Sequence, residues 1–442
     1  MTTRREFLAL GALGLGGCLL EARPPPVVHH PRGPLGRIAR PAPPARGTVL
    51  VGAGTVDLTP PPGAKVWLAG YGPNRPMKRI SDPIGAQCLV VDDGARRVAL
   101  VMVDVVGLMH PTIERIRKLV GPSIEVVVAS THNHASPDTI GFWGPAVMYA
   151  VPYRTGIDPA YLAVAERRIA QLVARTAASV RPARLRVGEA PLHAEGLITN
   201  LRPPFVVEQS VMVLEARELD SDAAIATLVN FACHPETMGP RSDALGAGFP
   251  GRLRKSLDEA TGGVTVFANG ALGGMIVPQV DDYDGVEARR NKDHAIADAA
   301  LAAALEALKS AREIPIDRVR LTLHELEIPA SNGLFKFLED QGVVEARRRG
   351  KNGGPMSEVG VLALGPIALA LIPGEATQKV GKQIEAKLKA RGYEITRVVG
   401  LAGDELGYLL DPATEYDDPE FAYEVSVSAG RDVVPALLKA LD

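Results

Sequence analysis

The chain has 442 residues, 46% of them hydrophobic, with a formal net charge of −2 and a sequence pI of about 6.5. That length and composition bury a large core, and the near-neutral balance lacks the basic domain or stripe that a nucleic-acid partner needs. Aromatic residues make up only 5%, too few for a base-stacking platform.

The first segment reads Thr3-Arg4-Arg5-Glu6-Phe7-Leu8, then an apolar run from Ala9 to Leu15, then Gly16-Gly17-Cys18. A twin arginine before a short apolar run is a bacterial export signal. The run is too short to span a bilayer, which takes about 20 apolar residues. Leu15-Gly16-Gly17-Cys18 also resembles a lipobox, so residues 1–18 are expected to route the chain out of the cytoplasm by the twin-arginine pathway. The product would be periplasmic, anchored to the membrane as a lipoprotein through Cys18, or secreted. Residues 19–46, rich in proline and arginine, read as an extended tether, because closely spaced prolines forbid helix and sheet.

The body, residues 47–442, begins with apolar runs predicted as strands at 48–52, 86–92, 98–104 and 125–129. Continuous apolar runs of this kind are covered on both faces. Helical periodicity falls at 111–120 and 159–180. Strands follow at 210–216, 224–232 and 264–268, then a long alanine-rich helix at 286–312. Residues 318–328 alternate imperfectly and read as a half-exposed antiparallel strand. Strands at 358–363 and 367–372, a helix at 376–391, a strand at 397–401 and a helix at 431–441 complete the chain. The expected fold is α/β: mixed parallel and antiparallel sheets with flanking helices in one large domain. Cys88 and Cys233 lie in apolar runs and read as buried free thiols, a disulfide between them depending on geometry.

Six of the nine histidines carry little: His29 and His30 fall in the tether, and His110, His193, His294 and His324 read as surface residues. His132 and His134 instead follow the apolar run 126–129, at a strand end where α/β proteins place ligands and catalytic groups. If the strand continued through them, spacing i, i+2 would put both imidazoles on one side; one could bind a metal while the other acts on substrate. His234 ends a second apolar run. A zinc hydrolase needs a third protein ligand and an open position, and Glu375, after the run 367–372, is a candidate.

The order of motifs resembles the neutral ceramidases, zinc-dependent amidases that split ceramide into sphingosine and a fatty acid. The matching segments are Gly52-Ala53-Gly54-Thr55-Val56-Asp57-Leu58-Thr59-Pro60, Gly70-Tyr71-Gly72, Ser130-Thr131-His132-Asn133-His134, Asn230-Phe231-Ala232-Cys233-His234-Pro235 and Pro373-Gly374-Glu375, followed by Gly407-Tyr408-Leu409, Glu415-Tyr416 and Tyr423-Glu424. Each is weak alone; their common order is specific. The resemblance implies a zinc ion held by His132, His234, Glu375 and Tyr408, with His134 and Tyr423 flanking the reacting carbonyl and Arg202 near the substrate. It implies hydrolysis of the N-acyl amide of ceramide or a related lipid by metal-activated water.

Three features depart from the family. Its Gly-Asp-x-Ser-Pro is replaced by Leu272-Gly273-Gly274-Met275-Ile276-Val277-Pro278, which removes a serine nucleophile from this position. The chain stops at Asp442, where full members continue into a β-sandwich domain, and the loop from Tyr408 to Tyr423 is slightly longer. Two other functions stay open on sequence: a zinc esterase or amidase with a different substrate, and an inactive, surface-anchored binding protein.

Overall fold

The computed structural model describes residues 47–442 apart from 148–151, 208–209 and 282–283, together with Leu35, Ile38, Ala42, Pro44 and Ala45. The export segment and Cys18 lie outside the described residues. The body is a mixed α/β sandwich. Its larger sheet runs, edge to edge, through strands Val264–Asn269, Ala224–Phe231, Ser210–Glu218, Arg181–Pro191, Val49–Asp57, Gly85–Asp92, Arg97–Val103 and Glu125–Ser130, with Arg312–Ile314 paired to Arg181–Pro191. A four-stranded sheet stacks on it in the order Val319–Glu327, Met356–Leu364, Ile367–Leu371, Ile395–Val399. One core cluster lies between the sheets, where Leu89, Leu100, Leu214 and Leu228 meet Leu362, Leu364 and Leu369. Helices His110–Val120, Pro159–Ala178, Gly248–Thr261 and Val286–Lys309 cover the far side of the larger sheet, and Gln378–Ala390 and Val433–Ala440 cover the smaller. Each helix supplies an apolar stripe at helical spacing; His110–Val120 buries Ile113, Ile116 and Val120.

Most pairings are antiparallel. The parallel ones in the two sheets are Arg97–Val103 with Glu125–Ser130, Ala224–Phe231 with Val264–Asn269, and Ile367–Leu371 with Ile395–Val399. These six strands are mostly buried and rich in apolar residues, as strands covered on both faces are, with Ile395–Val399 the most polar at Thr396 and Arg397. The larger sheet curls so that Val264–Asn269 also packs beside Arg97–Val103 and Glu125–Ser130. That curl brings the carboxyl ends of the larger sheet's two parallel pairs together, and the smaller sheet's parallel pair stacks beside them.

Several elements differ from the sequence expectation. Strand Arg181–Pro191 escaped detection because its arginines and proline mask the period of two, with Ala183, Leu185 and Val187 inward and Arg181 and Glu189 exposed. It joins the two halves of the larger sheet, pairing with both Val49–Val51 and Ser210–Glu218. The long helix stops at Lys309 rather than 312, because Arg312–Ile314 is drawn into the ladder against Leu185–Val187. Helix Gly248–Thr261 begins Gly-Phe-Pro-Gly, which reads as a loop, yet Pro250 occupies the first turn where no amide partner is required. Helix Gly333–Asp340 was also not anticipated. His110 is buried, its Nδ1 3.0 Å from the Gly403 carbonyl oxygen, and is not a surface residue. Cys88 and Cys233 are buried free thiols, Cys88 pushed up to about 12 by burial. Within the segment read as a tether, the Leu35 amide donates to the Leu119 carbonyl, and Leu35 and Ile38 pack on the helical side of the core. Among the described residues no helix is long and apolar enough to cross a membrane.

Candidate active site

Each parallel pair ends in a residue singled out by sequence. Glu125–Ser130 leads to His132, Ala224–Phe231 to His234, Ile367–Leu371 to Glu375, and Ile395–Val399 to Tyr408. Open α/β sheets bind ligands at carboxyl strand ends for this reason. Asn269, at the end of its own strand, ties the first two arms: its Nδ2 donates to the carbonyls of Thr131 (3.0 Å) and Cys233 (2.8 Å), and its Oδ1 accepts from the Cys233 amide (3.1 Å).

The strand does not continue through His132. It ends at Ser130, and His132 has φ of 65°, a left-handed conformation uncommon outside glycine. The i, i+2 argument therefore fails for the backbone, although the rings still meet with centroids 4.7 Å apart. His132 Nδ1 lies 2.7 Å from the Val106 carbonyl oxygen and His234 Nδ1 2.9 Å from that of Ile276. A carbonyl only accepts, so both Nδ1 atoms carry a proton; in the neutral rings Nε2 is then the lone-pair nitrogen, and the hydrogen bond from His234 Nε2 to Glu375 belongs to the imidazolium. Those two Nε2 atoms face one atom, Glu375 Oε2, at 3.4 and 3.0 Å. Ligating atoms of His132, His134 and His234 all lie within 4.8 Å of one another, so the three histidines could hold a metal ion.

Glu375 sits in a two-residue strand, Glu375–Ala376, parallel to Tyr408–Leu409, so that Glu375 and Tyr408 are register partners. Burial works against its charge, but His132, then His234 and the Tyr408 hydroxyl, hold it below the ordinary carboxylate range. Burial drives His132 down to about 3 against the pull of Glu375; for His234 the burial penalty is outweighed by the hydrogen bond to Glu375, and its pKa is raised. The Tyr408 hydroxyl oxygen also lies 3.3 Å from Met275 Sδ, an alternative acceptor for its one proton. Tyr423 stands edge-on to Tyr408, ring centroids 5.9 Å apart.

Arg202 lies on the same side, on the loop after Asn200, with its Nε 2.7 Å from Glu424 Oε1, next to Tyr423. Glu424 is fully buried. Removing one partner of a buried pair strands the other charge, at about 3–5 kcal/mol. Arg202→Ala is therefore expected to lower thermal stability sharply, and Glu424→Gln in the same chain to recover most of the loss. If the single and double variants melt together, the pair is not what anchors this loop.

Sequence reasoning missed four residues at the site. Glu236 Oε2 lies 3.3 Å from His134 Nδ1. Gly70, with φ of 97°, packs against the His134 ring so closely that a Cβ there would stand 2.3 Å from Cγ. Gly273 approaches the Glu375 backbone. Glu405 is a buried carboxyl pushed well above its ordinary range by burial and then by the charge of Glu375, its Oε1 accepting from the Gly407 amide at 2.8 Å. Glycines inside motifs were the available signal for two of these; nothing local marks Glu236 or Glu405.

No protein-family model matches the chain, and no curated protein does. Among solved structures it is similar to the neutral ceramidase from Pseudomonas aeruginosa, with a TM-score of 0.72 and 16% identity over 89% of this chain and 73% of that one. It is similar also to a ceramidase complexed with C2, with a TM-score of 0.71 and 17% identity over 89% of this chain and 74% of that one. In the arrangement of its two sheets and flanking helices, the chain has the fold of these ceramidase structures.

Proposed function

We propose that this protein is a zinc-dependent hydrolase that cleaves the N-acyl amide of ceramide or a related lipid. The observation carrying this reading is the convergence of two Nδ1-anchored imidazoles on one carboxylate oxygen. The 3.0 and 3.4 Å donor separations suit a tetrahedral ion, whose bonds of roughly 2.0–2.1 Å set donor–donor edges near 3.3 Å. His132, His234 and Glu375 would hold the zinc, with Tyr408 as a weaker fourth donor. Carbonyl oxygens that orient both imidazoles are the outer support such sites require. Zinc bound there would bring water towards a pKa of about 7 and polarise the scissile carbonyl.

The chain's own groups do the rest. No hydroxyl or thiol stands at 273–275, so that segment supplies no nucleophile, and in this reading the attacking group is water. His134 takes its proton and returns it to the leaving amine. The Tyr423 hydroxyl donates to the oxygen on which negative charge develops. A lipid substrate is favoured by the loop that follows Asn200, where Leu201, Phe205 and Val206 are 39%, 63% and 49% exposed. This loop is joined to the site, the Leu201 amide donating to Met275 O at 3.2 Å. Export, with attachment at Cys18, would place the enzyme beside membrane lipid.

The test is metal analysis of purified protein coupled to hydrolysis of ceramides, simple amides and esters. One zinc per chain, with ceramide cleavage lost on chelation and restored by zinc, is the expected result. Undiminished activity without metal removes the proposal; stoichiometric zinc with no hydrolysis leaves a binding protein. His134→Ala should keep the metal while turnover falls by roughly 10²–10⁴, the usual contribution of a general base; loss of metal instead makes His134 a third histidine ligand.

A further inference from the structure

The three clustered histidines are not held alike. His132 and His234 give their Nδ1 protons to backbone carbonyls, whereas His134 Nδ1 faces a carboxylate, Glu236 Oε2, at 3.3 Å. Both partners are buried, His134 at 8% and Glu236 at 7% exposure. The surroundings hold the ring in that direction. Gly70 closes one side of it, and Tyr71 lies edge-on with centroids 5.2 Å apart. The Tyr71 hydroxyl donates to the Glu236 carbonyl oxygen, and the His134 amide donates to that of Pro235 at 3.1 Å. Gly70, Tyr71, Pro235 and Glu236 thus form one cradle around one imidazole.

We infer that Glu236 is a positioning residue for His134, fixing the tautomer protonated at Nδ1 so that Nε2 is the nitrogen that accepts the proton. A carboxylate offers only lone pairs, so across this 3.3 Å contact its charge favours hydrogen on the nitrogen that faces it. The neutral ring then has its lone pair on Nε2 alone. This assignment rests on the hydrolytic reading above, in which His134 carries the proton. Glutamine at 236 removes the constraint, because its amide can turn an N–H towards Nδ1 and select the opposite tautomer.

The experiment uses zinc-loaded full-length protein labelled with ¹⁵N-histidine. Imidazole ¹⁵N shifts should report His134 protonated at Nδ1 in the native chain and at Nε2, or in a mixture, in Glu236→Gln. Glu236→Gln should lower kcat for ceramide at least about 10-fold, within the span of carboxylate–imidazole replacements, with KM and zinc content unchanged. In a His134→Ala chain it should cost nothing more, since the carboxylate acts through that ring. An unchanged His134 tautomer in Glu236→Gln, or a full additional loss in the His134→Ala background, overturns the inference. The ¹⁵N result stands without turnover, so a protein that hydrolyses no amide would defeat the proposed function and still decide the role of Glu236.

Discussion

Under the proposed function, His234→Ala is expected to lose bound zinc and to fall by at least roughly 10³ in kcat/KM, about 4 kcal/mol of transition-state stabilisation. The imidazole lies 3.0 Å from Glu375 Oε2, and its removal takes one of three close donors while leaving the Ile276 carbonyl without its Nδ1 partner. His132→Ala should behave alike, because the two rings address the same carboxylate oxygen from different strands. Metal stoichiometry and ceramide turnover on the same preparation check both. Either variant retaining zinc and activity together would mean that the metal is held elsewhere, and the proposed function would fall with the site.

Gly273→Ala is expected to be nearly as damaging, although it removes nothing. A Cβ on Gly273 would stand 2.1 Å from the Glu375 carbonyl oxygen, 2.7 Å from its carbon and 2.8 Å from that of Ala376. All three are backbone atoms and cannot rotate away. The Gly273 amide also donates to the Ala376 carbonyl at 2.8 Å, so the two segments are locked together. Relief must come by moving the two-residue strand that carries Glu375. Overpacking of this kind costs about 1–3 kcal/mol in stability, and a displacement near 1 Å at a reacting group costs roughly 10²-fold in rate. Weaker zinc affinity with the rest of the fold intact is the expected pattern. Gly72→Ala is the control, since nothing lies within 4 Å of its added Cβ and it should melt and turn over as the parent does. Equal behaviour of the two variants would show that the glycine segment does not seat Glu375.

Much of the fold was legible because its signals are local. The apolar runs at 86–92, 98–104, 125–129 and 224–232 announced sealed strands, and the amphipathic stretch from Pro159 announced a helix that ends within two residues of the expected position. Arg181–Pro191 was not legible, because a strand whose outer face is arginine and proline is identified only by the neighbours that pair with it. The same division runs through the site. His132, His234 and Glu375 could be nominated because each follows an apolar strand, and strand ends are where such chemistry is placed. Glu236 could not, since a glutamate two residues past a histidine is ordinary until folding places its carboxylate beside His134, more than a hundred positions away. Gly70 and Gly273 stood inside noticed motifs, but only the packing shows what a side chain there would strike.

The sequence by itself determined most of the element types, the α/β class and the candidates for binding metal or moving protons, because propensity, periodicity and side-chain chemistry are properties of short segments. The tertiary structure decided which of those residues meet. The curl of the larger sheet brings its edge strands together, Asn269 ties the first two arms, and the Glu375–Tyr408 bridge sets the third beside the fourth. Burial and hydrogen-bond partners arise only when distant segments pack, and so they also decided that His132 and His234 present Nε2 to Glu375 while His134 turns Nδ1 to Glu236.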